Sequence, residues 1–335
     1  MKKMLLCLLV VLNLYGEDGL VIPVCDKYME FFYPSLAWLR LTLKSTLPIE
    51  VWYSGDELSD KAKKKISFFE GVTFRDIAEV RGGDPKEYRG YQIKPLALQA
   101  SRFDRAILID ADVFMYLDPR ELFNLPGFIE TGAFFFRDTN IKEYTGLERK
   151  NKKYPTHSEF CLRRDFYLKH IKEPSSYLPP DWRFYWEGQE PSLSHPLPAE
   201  LMESGVVVLD KNRHQQGLSE IVELNLNWRE VYTFILGDKE TFWMGLEKAF
   251  EPYTVNDKLP YKFYGGIKVR QNSSHKVDLV HYIDDQMIFQ QKAPISIGYH
   301  PFFCIGSNKE ARFVVPDKDL KLLNYARSFY LRYSY

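Results

Sequence analysis

The sequence predicts an α/β fold built on a mostly parallel, doubly wound sheet with an elaborated C-terminal half. Three observations predict it. Short β-rich runs alternate with helical periodicities from Gly19 to Ile109, the pattern of strands joined by crossover helices. The last of these runs, Arg105-Ala106-Ile107-Leu108-Ile109, is apolar without alternation after its first residue, as strands covered on both faces are. At 335 residues the chain is also long enough to bury a substantial core without disulfides or a structural metal.

The elements are justified in order. Met1-Lys2-Lys3 followed by apolar Met4 to Leu12 reads as a signal peptide over residues 1–16, or as a short signal anchor if Leu14 and Tyr15 extend it. An extra N-terminal strand of a cytosolic domain is the alternative. Gly19 to Val24 is the first buried strand, closed by Pro23, Cys25 and Asp26. Tyr28 to Leu43 has helical spacing, with Pro34 near a helix start or at a kink. Ile49 to Tyr53 is a second strand, and Glu57 to Phe69 a helix whose Lys61, Lys63, Lys64 and Lys65 form a solvated face. Val72 to Val80 is a third strand, Arg81 to Pro85 a loop, and Gln92 to Arg102 a helix leading into the apolar strand. Beyond residue 140 the alternation becomes irregular, with Pro, Tyr and Trp in the loops between Glu173 and Pro198.

Composition narrows the function. Lys plus Arg and Asp plus Glu balance at 45 each, so no overall field favours nucleic acid or an anionic membrane. The 16% aromatic share suits a sugar-facing cleft or simple core packing. Cys7, Cys25, Cys161 and Cys304 contain no CxxC pair and suggest neither zinc nor a disulfide framework. Asn272-Ser273-Ser274 is an N-glycosylation acceptor in a lumenal chain.

In α/β sheets ligands bind beyond the carboxyl ends of the strands, and there stand Asp110-Ala111-Asp112. In extended chain two carboxylates one residue apart project to the same side. Unpaired, they would cost several kcal/mol of desolvation. A hard divalent ion, Mn²⁺ or Mg²⁺, offsets that cost and can clamp a diphosphate. A solvated turn is the other meaning of such a pair.

Lys94 to Leu98, the Ile107 to Asp112 stretch, Asp118-Pro119 and Leu122-Phe123 together resemble the fungal α-mannosyltransferase family that extends mannan side chains through α-1,2 or α-1,3 links. Glu203 to Lys211 and Gly237 to Trp243 resemble its second and third blocks, and the three fall in the same order. More distantly the order is similar to glycogenin-like retaining transferases. The resemblance implies a GT-A-like nucleotide-sugar fold over residues 17–335. Its nucleotide-binding half would cover about 19–140 and its acceptor-side half about 141–335. It implies an enzyme of the secretory pathway, in the ER or Golgi lumen or secreted, with GDP-mannose as donor and a glycan or glycoprotein as acceptor. Nucleic acid is not an expected partner, and membrane association would come through the N-terminus only.

On residues, the resemblance implies that Asp110 and Asp112 hold the metal and that Lys94 and Gly205 face the donor. Lys94 is otherwise a surface lysine. Asp238, Glu240 and Glu203 become candidates for catalytic and sugar contacts, although acids at a helix start also serve as caps. His281, at the end of the Val277 to Tyr282 strand, is the candidate third metal ligand, with His300 its competitor. Rival readings are a phosphatase with an acidic pair after an apolar strand, a nucleotidyltransferase, a transferase of the same fold using a UDP-sugar, and a sugar-binding protein without turnover.

Overall fold

The computed structural model describes residues 17–138, 157–188, 201–264, 277–291, 302–304, 312–314 and 317–333. The leader, the Asn272 acceptor and His300 lie outside them. Through the first half the chain runs β1 (Asp18–Pro23), α1 (Met29–Leu41), β2 (Ile49–Tyr53), α2 (Asp60–Ile66), β3 (Val72–Asp76), α3 (Ile77–Arg81), α4 (Ile93–Ala100), β4 (Arg105–Ile109) and β5 (Val113–Met115). Next come α5 (Pro126–Thr131), β6 (Ala133–Arg137), α6 (His157–His170), β7 (Met202–Asp210), α7 (Gln215–Leu226), α8 (Trp228–Val231) and α9 (Thr241–Ala249). It ends with β8 (Thr254–Val255), β9 (Tyr261–Tyr264), β10 (Val277–Ile283), β11 (Gln286–Gln291), β12 (Phe302–Cys304), β13 (Arg312–Val314) and α10 (Asp317–Tyr333).

The central sheet has seven strands in the order β3-β2-β1-β4-β7-β6-β8. Its first four strands are parallel, and β7 is inserted antiparallel between β4 and β6. The apolar run of β4 is explained by its surroundings. Ala106 and Leu108 join one core with α4, α7 and α9, while Ile107 and Ile109 join the opposite core with α1 and α2. A strand with both faces covered has no use for polar alternation.

A second, six-stranded sheet, β13-β12-β9-β10-β11-β5, is antiparallel throughout. The sequence reading did not foresee it. Its strand β5 follows β4 after three residues, so the chain leaves one sheet and enters the other across Asp110-Ala111-Asp112. The sheet junction and the acidic motif are the same place.

Local expectations were refined in three places. The lysine-rich helix is shorter than Glu57 to Phe69, because Ser59 caps it by accepting from Ala62 N. The third strand stops at Asp76, whose carboxylate accepts from Ala78 N and Gly55 N and starts α3; a side chain bonded this way is a strong helix-start signal. Pro34 sits inside α1, where it cannot donate to the carbonyl four residues earlier. That carbonyl, Glu30 O, instead accepts from Tyr330 Oη of α10 at 2.7 Å. Among the described residues no helix is long and apolar enough to cross a membrane.

Candidate active site

The acidic pair is shaped by a turn. Val113 N donates to Asp110 O at 3.0 Å and Asp110 N donates to Gly205 O at 2.9 Å. The chain therefore folds back between the two aspartates instead of staying extended, and the expected same-side projection along a strand does not apply. Their proximity comes from a β-turn pinned to β7.

Lys94, from the first turn of α4, reaches this turn and is only 7% exposed. Its Nζ lies 2.9 Å from Asp110 Oδ1, 3.1 Å from Asp110 Oδ2 and 2.8 Å from Ser204 Oγ. It is also 3.0 Å from Asp238 Oδ2, an ion pair outside hydrogen-bond alignment. Burial opposes its charge, but Asp110 and then Asp238 outweigh burial and hold the ammonium above the ordinary lysine pKa. Lys94 is thus not a surface lysine. It is committed to the protein's own acids.

Lys94 pairs with Asp110 and Asp238, and its charge also reaches Asp112 without a direct contact. Burial first, and then the charge of Asp110, push the Asp112 carboxyl up to about 6, with Lys94 opposing. Burial likewise raises Asp238 to about 6, against the pull of Lys94. An excess of carboxylate over ammonium is left at the junction, which is what a divalent cation would relieve.

A second lysine builds the floor. Lys239 Nζ donates to Glu203 Oε2 at 2.8 Å and to Asp138 Oδ2 at 2.7 Å. Burial opposes its charge, but Glu203 and Asp138 prevail and raise its pKa. Glu203 Oε1 accepts from Gly205 N at 2.8 Å, so both oxygens of Glu203 are occupied. A β-carbon on Gly205 would stand 3.1 Å from Gln291 Nε2 and 3.2 Å from Val113 Cγ2. Glycine there lets β7 pack directly against the acidic turn.

Two further candidates sit in other surroundings. Neither acid of the third block caps α9 through its side chain. Glu240 accepts from Leu201 N at 2.7 Å, Met202 N at 3.3 Å and Trp243 Nε1, and it is fully buried. That is a structural carboxylate, tying α9 to the start of β7, with no oxygen left for a sugar. His281 is buried, and among the described residues neither of its ring nitrogens has a hydrogen-bond partner. Among the described residues no three His, Cys, Asp or Glu side chains form a metal cluster. Its ring stacks on Phe289 at 4.2 Å and meets Phe136 edge-on at 5.6 Å. Burial drives its pKa down to about 3, so the imidazole is neutral.

Asp138 and the pairing of Lys239 with Glu203 and Asp138 are not among the sequence expectations. A signal for Asp138 was available. Phe134-Phe135-Phe136-Arg137-Asp138 is an apolar run ending in an acid, as Ile107-Leu108-Ile109-Asp110 is, and both runs are strands of the central sheet ending at the same cluster.

Comparison with known proteins bears on this geometry. Residues 17–286 match the family described as "Mannosyltransferase putative", which takes in the acidic turn and both lysines. The chain belongs to that mannosyltransferase family. Among curated relatives it is 29% identical over 253 residues to "Putative alpha-1,3-mannosyltransferase MNN14" of Candida albicans, covering 70% of this chain and 33% of the relative. It is 26% identical over 255 residues to alpha-1,3-mannosyltransferase MNT3 of Saccharomyces cerevisiae, covering 71% of this chain and 39% of the relative. The chain spans about a third of the length of the first curated relatives it matches. Similar solved structures include the glycosyltransferase GlyE of Streptococcus pneumoniae, at 11% identity and TM-score 0.41, covering 72% of this chain and 46% of that one. Another is core-mannan synthase A of Aspergillus fumigatus in its Mn/GDP form, at 8% identity and TM-score 0.38, covering 73% and 72%.

Proposed function

We propose that this chain is a metal-dependent α-mannosyltransferase that moves mannose from GDP-mannose to a glycan or glycoprotein in the lumen of the secretory pathway. The observation that carries the reading is the acidic turn at the sheet junction, where Asp110 and Asp238 pair with one buried lysine and Asp112 stands beside them without a cation of its own. Family membership narrows the sugar. The names of the relatives, alpha-1,3-mannosyltransferases, supply the linkage class.

The residues suit Mn²⁺ or Mg²⁺. Asp110 and Asp112 are hard oxygen donors, Asp110 has its side chain 24% exposed, and a hard divalent ion is commonly held by one or two carboxylates together with substrate phosphates. A bound ion would neutralise charge developing on the departing nucleoside diphosphate. His281 is not among the ligands we assign.

The chain's own residues do the rest by positioning. Lys94 fixes the Asp110 carboxylate and Asp238 fixes Lys94. Glu203 ties Gly205 N of its own strand to Lys239, and Gly205 O holds β7 against the turn by accepting from Asp110 N. GDP-mannose is an α-glycoside, so an α-linked product means retention of configuration.

The test is a donor screen with the purified chain, scoring Mn²⁺-dependent release of nucleoside diphosphate from GDP-mannose and from UDP-sugars, with the product anomer assigned by NMR. GDP-mannose turnover giving an α-product is the expected result. Full turnover by Asp112→Ala would refute the metal site, and preference for a UDP-sugar would refute the donor.

A further inference from the structure

Tyr91 stands out because it is aromatic, 57% exposed, and placed at the mouth of the carboxylate cluster. Large exposed aromatics are costly surface and informative when they border a site. Three observations place it. A β-carbon on Gly237 would come within 2.8 Å of the Tyr91 ring, so one edge of the ring lies over the backbone immediately before Asp238. Burial first, and then Asp112, Tyr91, Cys25 and Asp110, raise the pKa of Tyr28, so Tyr91 and both aspartates of the turn act on one phenol. Its carbonyl accepts from Lys94 N at 3.1 Å, which ties it to the element that delivers Lys94.

The support under Tyr91 is stiff. Gln92 Nε2 donates to Glu87 O at 3.0 Å and Arg89 O at 2.8 Å, closing the loop just before α4. Tyr88 Oη donates to Gly82 O at 2.6 Å, Arg229 pairs with Glu87 at 2.7 Å, and Arg89 pairs with Asp56. Tyr232 meets the Tyr91 ring edge-on at 6.4 Å. Gly237 has φ +66°, a conformation glycine adopts at no steric cost, and its missing side chain is what lets the ring settle there. A large apolar face held without loss of side-chain entropy is a ready contact for a ligand with one flat apolar face.

We propose that Tyr91 is the stacking platform for the acceptor saccharide, covering the apolar C–H face of a pyranose whose hydroxyl is directed toward the acidic turn. The proposal rests on the transferase reading above and extends it to the acceptor. A ring at the solvent rim, beside Gly237-Asp238 and outside the buried Lys94 pair, suits the later, more exposed of the two substrates. Its hydroxyl edge remains free for polar contacts at the rim.

The test measures acceptor KM, kcat and acceptor-free donor hydrolysis with methyl α-mannoside and α-mannobiose as probes. Tyr91→Ala is expected to raise acceptor KM by about tenfold and leave donor hydrolysis unchanged. Tyr91→Phe and Tyr91→Trp are expected to restore KM. Tyr91→Leu keeps an apolar contact on Gly237 without a flat face and is expected to behave as the alanine variant does, which also covers a failure of Tyr91→Ala to fold. Phe250, 77% exposed and just past the C-terminal end of α9, serves as control, and Phe250→Ala is expected to leave KM unchanged. An unchanged acceptor KM in Tyr91→Ala and Tyr91→Leu, or a fall in donor hydrolysis without a KM change, overturns the proposal. If the wild-type chain hydrolyses no nucleotide sugar, the transferase reading has failed separately. Calorimetric binding of α-mannobiose then decides Tyr91 alone: weaker binding by Tyr91→Leu supports the platform, and equal binding ends it.

Discussion

Two groups of acids in this molecule are built in opposite ways. In the helical layer, Glu240 accepts from two backbone N–H groups and an indole, while Glu247 accepts from Ser175 N, Ser175 Oγ and Tyr253 Oη at 2.6–2.7 Å. Neither has a lysine or arginine among these partners; neutral donors fill their oxygens and cross-link secondary elements. At the sheet junction one ammonium pairs with Asp110 and Asp238 and leaves Asp112 without a direct partner, and the Asp112 and Asp238 carboxyls are pushed up to about 6. The first arrangement is complete without a ligand. The second holds more negative charge than the protein itself balances, and such imbalance marks function better than residue type does.

Substitutions can break that contrast. Asp112→Asn is expected to lower transfer by about 1000-fold, equivalent to ~4 kcal/mol of barrier, while thermal melting of the metal-free protein does not fall. Glu240→Ala should do the reverse, costing about 3 kcal/mol of stability in denaturant titration because Leu201 N and Trp243 Nε1 lose their acceptor. Any remaining folded fraction should keep its KM for donor. Should Glu240→Ala fold normally yet lose activity, Glu240 belongs with the site and the division is wrong.

Finer effects sharpen it. Lys239→Met removes the charge between Glu203 and Asp138 and is expected to reduce activity by about 10- to 100-fold, the cost of disturbing groups behind a metal ligand, with metal affinity measured alongside turnover. Smallest is a pH effect on the metal-free fold. The Asp112 carboxyl is raised to about 6, above its unfolded value of about 3.9, so the folded state binds more protons between the two values. Stability from this group is therefore greatest toward the lower value and is lost as pH rises through about 6. Melting of Asp112→Asn at pH 5 and pH 7.5 should show a smaller difference than wild type, by up to about 1 kcal/mol. Turnover needs the ionised carboxylate and should run the other way, rising through the same pH.

Much of the frame was legible. β1, β2 and β4 coincide with the apolar runs from Gly19 to Val24, Ile49 to Tyr53 and Arg105 to Ile109, and Asp110 and Asp112 stand at the strand terminus that sheet topology marks for ligands. The second sheet was not legible, since β5, β12 and β13 are three residues each and too short to show a period. Strand β3 was drawn too long because Asp76, a helix cap, lies inside an otherwise β-like run.

What the sequence determined by itself is local: an apolar strand that must be covered on both faces, and two acids one residue apart at its end. Only the tertiary structure decided what surrounds them. Lys94, Asp110, Ser204 and Asp238 come from four separate segments, and whether a lysine is a solvated surface charge or a buried counter-ion depends on which acids the fold carries to it. The same holds for Asp238 and Glu240, two residues apart, one beside Lys94 and the other locked under β7. Electrostatic role is set by distances across the fold, and neighbours in sequence do not fix those distances.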